Sequence, residues 1–486
     1  MFGGGDAFWI DKGDEDVWIS PYAPEWRKRY MELIRQIAAT GIDGIWVDIP
    51  YWMTHFTGWE DSWASFDDYT VEAFKKKTGL NAKTDLKLGD ITDENFRKWI
   101  DFRIETLTDF MAEISANVKS ANPECKVIPE IYPGIGEEAV RVGSDVYELY
   151  KVVDVVAHEY SGGGENAASK NPKDWFSRMV GMYTFRAFAG DKASWMLSYS
   201  WGKENKVKPA EPMKNLALSN LMAGTNHYDA RGHVMSGSND IETRTLINKW
   251  IAANERIFYE PRKPIAPIGV YFSPKTRNYF PNGFIESFEG MMTLMLQSHL
   301  EFQVVTPATL EEFAGNILIL PDVTIISAEE EAFFRKFAYG KKLIRTSGKD
   351  YSRLLKTEFD RAAWTANFDK ISLYNFLTKF KADLVSKSNH KSDISVDASP
   401  FISSQIASVD GKPHVFLANF AGLKSDEVVN QIPEKNIKIT FKGNKETKVF
   451  YLPFLGNKQQ LKSTVKNGHI TCTLPPVSKG AVVWIE

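Results

Sequence analysis

Short apolar runs alternate with amphipathic segments over roughly the first 260 residues. Helices are predicted at about Pro24–Ala39 and Asn95–Val118, the second with Asp93 as its N-cap. Six runs have the length and apolar content of buried strands: Ala7–Asp11, Gly44–Ile49, Lys126–Ile131, Val152–Glu159, Trp195–Ser200 and His227–Val234. Strand and helix in alternation predict a parallel α/β sheet, either a (β/α)8 TIM barrel or a doubly wound fold.

Six strands are two fewer than a TIM barrel needs. We interpret them as the third to eighth strands of a barrel over residues 1–260, with its first two units cryptic or missing at the N-terminus. No Gly-x-Gly-x-x-Gly turn follows a strand, which argues against a dinucleotide-binding domain.

Two further domains are expected after a linker at Glu260–Pro264. Helices at about Gly283–Leu300 and Ala328–Ala338 separate four buried strands, which predict an open α/β domain over residues 265–390: Ile268–Phe272, Gln303–Thr306, Ile317–Leu320 and Lys342–Arg345. Alternating strands with Gly, Asn and Lys turns predict an antiparallel β-sandwich over residues 393–486: Val415–Asn419, Ile437–Phe441, Lys448–Leu452, His469–Leu474 and Ala481–Ile485.

Composition narrows the classes of function. The 486 residues include 59 Lys and Arg against 62 Asp and Glu, so the net charge of −3 offers no basic field for nucleic acid. No apolar run reaches the roughly 18 residues of a membrane-spanning helix. Two cysteines form neither a disulfide framework nor a zinc cluster. The N-terminus lacks the pattern of a signal peptide, and localisation stays open.

Three carboxylates end predicted strands, where a barrel places its active site. Asp48 shares a strand face with Trp46, and Glu130 and Glu159 end two later strands. A buried carboxylate must be paired or hydrogen-bonded, so an acid at the end of an apolar strand is a poor structural choice. Its presence there favours a catalytic role. The structural alternatives are a capping aspartate at 48 and salt bridges at the two glutamates. Because strand neighbours point to opposite sides, only one of His158 and Glu159 is expected to face inward.

Aromatic residues make up 13% of the chain, and their flat faces suit the C–H faces of sugars, although a large aromatic core would give the same count. The expected sugar-binding residues are Trp46, Trp52, His55, Trp59, Tyr132, His158, Tyr160, Tyr199, Trp201, Tyr228, Asp229 and Arg231. In the structural alternative to sugar binding, Asp229 and Arg231 form a salt bridge with each other. No His-Glu-x-x-His spacing supports a metal site, no cofactor is expected, and no Gly-x-Ser-x-Gly elbow supports a serine hydrolase.

The order of barrel, open α/β domain and β-sandwich resembles glycoside hydrolase family 42, the β-galactosidase group. The best local matches are Asp154–Tyr160, Trp195–Tyr199 and Lys249–Ser273. The segment Ser20–Asp48, with Pro-Glu-Trp-Arg before a Gly-x-Asp-Gly strand, is similar to hypothetical glycosyl hydrolase barrel families. The middle domain resembles class I amidotransferases in fold but has no cysteine nucleophile. The resemblance therefore implies a scaffold that supports homo-oligomers.

The sequence departs from family 42 at both catalytic positions. The family's glutamate nucleophile ends strand seven, where this chain has Leu197–Ser200, and its Asn-Glu acid/base pair ends strand four, where it has Val47–Ile49. The α-fucosidase and α-amylase groups instead place an aspartate nucleophile at the end of strand four, which Asp48 matches. An amylase-like pattern assigns the acid to Glu130, and an α-galactosidase-like pattern assigns it to Glu159.

The sequence therefore predicts a retaining glycosidase that acts on an oligosaccharide or glycoconjugate. Asp48 is the expected nucleophile, Glu130 the acid/base and Glu159 the reserve acid. The alternative is a catalytically degenerate carbohydrate-binding barrel, because the glutamate of strand seven is missing.

Overall fold

The computed structural model describes residues 19–48, 50–52, 63–131, 134–159, 172–198, 210–229, 240–265, 267–346, 377–384, 392–423 and 430–486. The predicted strand Ala7–Asp11 lies outside these ranges. None of the helices within them is long and apolar enough to cross a membrane.

The chain divides into two compact units, each made of three segments of the sequence. The first unit comprises Met1–Tyr160, Phe188–Trp195 and Pro274–Asn282. The second unit comprises Ser161–Ala187, Met196–Ser273 and Gly283–Glu486.

The first unit is built on parallel strands connected by helices. Its elements up to residue 160 are α1 (Pro24–Ala38), β1 (Gly44–Val47), α2 (Asp68–Thr78), α3 (Glu94–Ala121), β2 (Lys126–Ile131), α4 (Glu137–Val142), α5 (Val146–Leu149) and β3 (Val156–His158). β2 pairs in parallel with β1 on one side and with β3 on the other. The predicted cap of α3 is confirmed, because the Asp93 side chain accepts a hydrogen bond from the backbone N–H of Asn95.

Aromatic packing fixes the long helix α3 in the first unit. Trp99 stacks on Phe66 with ring centroids 5.2 Å apart and meets Phe74 edge-on at 5.0 Å. Arg103, one turn further along, is also completely buried. A cation on the buried face of an amphipathic helix must find hydrogen-bond acceptors inside the protein, and those of Arg103 are backbone carbonyls of other segments.

After β3, the chain continues with two more strands and four helices. The elements of this part are α6 (Pro172–Ala189), β4 (Ser194–Ser198), α7 (Ala210–Ala223), β5 (Asn226–Asp229), α8 (Ile241–Ala253) and α9 (Glu255–Tyr259). Five of the six predicted strands therefore form where the sequence places them, while closure into an eight-stranded barrel stays a prediction.

A second parallel sheet has four strands in the order β10-β9-β7-β8. Its region contains β6 (Lys263–Pro264), β7 (Ile268–Tyr271), α10 (Pro274–Tyr279), α11 (Pro281–Gln297), β8 (Phe302–Val305), β9 (Ile317–Pro321), α12 (Ala328–Gly340) and β10 (Lys342–Thr346). Every residue of the inner strand β9 is buried, as expected for a parallel strand covered on both faces. All four strands predicted here are confirmed.

The C-terminal strands form two antiparallel sheets over one shared apolar core. They are β11 (Ile394–Asp397), β12 (Ile402–Val409), β13 (Lys412–Asn419), β14 (Lys438–Lys442), β15 (Val449–Pro453), β16 (Gln459–Leu461), β17 (Ser463–Lys466), β18 (His469–Thr473) and β19 (Gly480–Ile485). One sheet has the order β11-β14-β18-β17, and the other has the order β16-β15-β19-β13-β12-β6. Two packed antiparallel sheets are the predicted arrangement for this region.

The segment Glu260–Pro264, which the sequence predicts as a linker, is bonded to other parts of the second unit. Its last two residues form β6, which adds to the edge of β12. Arg262 donates hydrogen bonds to the backbone oxygens of Leu221 at 2.5 Å and Met222 at 2.7 Å, and to the Gln405 side chain at 2.8 Å. A Pro-rich composition predicts a break in regular structure, but it does not reveal such long-range acceptors.

Candidate active site

The pairing of β1 with β2 brings Asp48 and Glu130 to the same level of the sheet. Val47 lies opposite Pro129, so the next residue of each strand is also level with the other. Along β1 the buried residues alternate with exposed ones, and Trp46 and Asp48 share the exposed face, as predicted. The two carboxyl groups therefore meet above adjacent parallel strands.

Glu130 is in hydrogen-bonding contact with Asp48 and is only 8% exposed. Burial, then the hydrogen bond and charge of Asp48, then the charge of Glu159 raise the pKa of Glu130 to about 8. The indole N–H of Trp46, which donates to Glu130 Oε2 at 3.0 Å, lowers this pKa. Two carboxyls in contact cannot both ionise cheaply, so Glu130 keeps its proton at neutral pH while it is hydrogen-bonded to Asp48.

Glu159 supplies a third carboxyl to this cluster. Glu130 is level with Ala157 of β3, and the backbone N–H of Glu159 donates to the carbonyl of Ile131 at 2.7 Å. Glu159 is half-buried, and its charge acts on both Glu130 and Tyr51. The structure thus brings together the three carboxylates predicted as catalytic.

Tyr51 joins the cluster, although it is not among the site residues predicted from the sequence. Burial, and after it the charges of Asp48 and Glu159, raise the pKa of the Tyr51 hydroxyl, which therefore stays protonated at neutral pH. A neutral hydroxyl beside carboxylates is a hydrogen-bond donor. The signal in the sequence is its position three residues after Asp48, in the loop that follows the strand.

Trp52 anchors this loop and does not reach the surface. It is completely buried, its backbone N–H donates to Val142 at 2.8 Å, and its indole N–H donates to the Arg103 carbonyl at 3.0 Å. Gly143 has a φ of +69°, and a Cβ there would lie 2.6 Å from the Trp52 ring. The prediction that Trp52 binds sugar is therefore wrong, because the ring is packed inside the first unit.

Arg103 connects this anchor to two other segments. Its guanidinium donates to the carbonyls of Ala64 at 2.6 Å and Val140 at 3.1 Å, and its centre lies 5.8 Å from the Trp52 ring and 5.4 Å from the Trp63 ring. In the sequence, the feature that could have identified Arg103 is its position as a cation on the apolar face of α3. Arg103 therefore helps to hold the loop that carries Tyr51.

His158 lies in the wall of the sheet, which corrects its prediction as a substrate-binding residue. It is 1% exposed, and its Nε2 lies 3.4 Å from the hydroxyl of Tyr150. Burial lowers the pKa of His158 to about 3, so the imidazole is neutral. Alternation along β3 separates it from Glu159, as predicted.

The remaining predicted residues are placed only in part. Tyr228 lies in β5 of the second unit and is 37% exposed, and Asp229 is the last residue of that strand. The others lie outside the described residues: His55, Trp59, Tyr132, Tyr160, Tyr199, Trp201 and Arg231. Within the described ranges, no group of three or more His, Cys, Asp or Glu side chains is arranged to hold a metal ion.

The raised pKa of Glu130 has a measurable consequence for stability. Between its ordinary value of 4.5 and about 8, Glu130 keeps a proton in the folded state that it releases in the unfolded state. The free energy of unfolding is therefore expected to fall as pH rises through this window, by up to about 1.4 kcal/mol per pH unit from this group. Urea unfolding at several pH values should show a flatter dependence for Glu130→Gln. An identical slope in both proteins would contradict the assignment.

No protein-family model matches the sequence, and no curated protein matches it. Solved structures share the fold. A catalytic mutant of Gan42B, a GH42 β-galactosidase from G. stearothermophilus, matches with a TM-score of 0.64 at 12% identity, over 95% of this chain and 82% of that one. The β-galactosidase from Bacillus circulans sp. alkalophilus matches with a TM-score of 0.63 at 11% identity, over 96% of this chain and 83% of that one.

An α-L-fucosidase, isoenzyme 2 from Paenibacillus thiaminolyticus, matches with a TM-score of 0.62 at 11% identity, over 96% of this chain and 80% of that one. At such identities the likeness establishes the fold. The chain resembles GH42 β-galactosidases and other glycoside hydrolases in structure, which confirms the family resemblance predicted from the sequence.

Proposed function

We propose that this chain is a glycoside hydrolase in which Asp48 and Glu130 carry the reaction. The observation that carries the proposal is the hydrogen-bonding contact of these two carboxyls above adjacent parallel strands, with the pKa of Glu130 raised to about 8. A carboxylic acid that stays protonated at neutral pH beside a carboxylate is the arrangement that glycoside hydrolysis requires. The likeness in fold to glycosidases supports the same function.

In the first step, Glu130 gives its proton to the glycosidic oxygen while the bond from that oxygen to the anomeric carbon breaks. The Asp48 carboxylate attacks the anomeric carbon and forms a glycosyl ester. In the free protein the Glu130 carboxyl is hydrogen-bonded to Asp48, so the bound substrate must take the place of that hydrogen bond. The glycosidic oxygen then accepts the hydrogen bond from the Glu130 carboxyl in place of Asp48.

In the second step, water attacks the anomeric carbon and the ester bond to Asp48 breaks. Glu130, now ionised, takes a proton from that water and returns to its starting state. A retaining mechanism is favoured because it needs carboxyls only about 5–5.5 Å apart, whereas an inverting one needs about 6.5–9.5 Å to fit a water. Asp48 and Glu130 are already in contact, so they need to move apart less to reach the retaining separation than to reach the inverting one.

A panel of aryl glycosides, including β-galactosides and α-L-fucosides, tests the proposal. We expect release of the aryl group from at least one, and proton NMR of the first sugar formed should show the anomeric configuration of the substrate. The opposite anomer would overturn the retaining mechanism. Sugar binding by calorimetry without turnover of any glycoside would favour the carbohydrate-binding alternative instead.

A further inference from the structure

We propose that Trp46 is a positioning residue for Glu130, fixing which carboxyl oxygen carries the catalytic proton. This inference rests on the proposed function, since it assigns Trp46 a part in the action of the acid. It differs from the expected role of Trp46 as a surface for sugar.

The hydrogen bond between the two side chains sets the position of the proton. The indole Nε1–H lies 3.0 Å from Glu130 Oε2, and an indole N–H can only donate. The hydroxyl oxygen of a neutral carboxyl is a poor acceptor, so Oε2 must be the carbonyl oxygen and the proton lies on Oε1. Oε1 is then the oxygen from which the substrate receives the proton.

The sheet holds the indole in this position. Trp46 lies within β1, opposite Ile128 of β2, and Glu130 is two residues further along the same face. A residue on a paired strand is positioned more precisely than one on a loop. The Trp46 side chain is nevertheless 37% exposed, so its ring remains accessible while its N–H is occupied by Glu130.

The same bond opposes the effect of burial on the acid. An N–H donor stabilises the ionised carboxylate, and the bond from Trp46 lowers the pKa of Glu130 against the larger effects that raise it. Loss of the N–H should therefore move the titration of Glu130 to higher pH. A residue that only packs against Glu130 would not produce an upward shift, because added solvent would lower the pKa.

The test is Trp46→Phe, which keeps an aromatic face and removes the N–H. We expect kcat to fall about tenfold, with KM changed less, and the basic limb of the pH profile to move upward. Trp26→Phe is the matched control, because Trp26 is half-buried on α1 and stacks on Tyr30. It should leave both kcat and the basic limb unchanged.

Carbon-13 NMR of the Glu130 carboxyl gives a readout that needs no turnover. An upward shift of its titration in folded Trp46→Phe supports the inference even if no glycoside is cleaved, in which case only the proposed function fails. An unchanged or lowered titration in a folded variant overturns the inference, even if the protein is an active glycosidase. A thermal unfolding midpoint identifies a variant that does not fold. If Trp46→Phe does not fold, Trp46→Leu, whose side chain has no hydrogen-bond donor, replaces it and must give the same upward shift.

Discussion

Replacing Asp48 with asparagine is expected to lower kcat/KM by roughly 10⁴-fold or more, because the amide cannot attack the anomeric carbon. The fold should survive, since the Asp48 side chain is exposed at the end of its strand and asparagine has nearly the same shape. The pKa of Glu130 should fall, because one of the charges that raise it is removed. Initial rates on the cleaved glycoside and an NMR titration of Glu130 measure both effects.

Chemical rescue makes this prediction specific to a nucleophile. In Asp48→Gly, azide can enter the space left by the carboxyl, attack the anomeric carbon from the same face, and give a glycosyl azide of inverted configuration. Asp43→Asn is the matched control, because Asp43 is exposed just before the start of the same strand and should leave the rate unchanged. Substantial activity in Asp48→Asn, or an azide product of retained configuration, would remove Asp48 from the nucleophile role.

The strands at the site could be predicted because their signals are local. An apolar run of four to six residues after an amphipathic helix specifies a parallel strand, and alternation along it places Trp46 beside Asp48. The contact between Asp48 and Glu130 is harder to predict, because it depends on the register between two strands whose paired residues are 82 positions apart in sequence. The sequence shows that each carboxylate ends a strand, and only the structure shows that the two are in hydrogen-bonding contact.

The predictions of site residues that are wrong concern side chains that the structure buries. Trp52 and His158 lie beside residues of the carboxylate cluster in sequence, and their types are equally suitable for binding sugar. Trp52 is buried because its partners, Val142 and Arg103, come from distant segments that pack over it. For His158 the strand alternation correctly predicts that one of two neighbours faces inward, but it does not say which one. These outcomes are decided by tertiary contacts that leave no local trace.

Replacing Glu130 with glutamine is expected to lower kcat by about 10²–10⁴-fold on glycosides with poor leaving groups, because no proton reaches the departing oxygen. Aryl glycosides whose phenol is strongly acidic need little help and should form the glycosyl ester at nearly the normal rate. The basic limb near pH 8, which reports deprotonation of Glu130, should disappear from kcat/KM. Rates on two aryl glycosides with phenols of different acidity, measured across pH, give all three results.

Two further variants decide between the carboxyls that could act as the acid. Glu124→Gln is the matched control, because Glu124 is exposed in the turn before the same strand and should change neither the rate nor the pH profile. Glu159→Gln removes a charge that raises the pKa of Glu130, so the basic limb should move to lower pH but persist. If the limb survives in Glu130→Gln and is lost in Glu159→Gln, Glu159 is the proton donor. The hydrogen bond between Asp48 and Glu130 would then serve to hold Asp48 in place.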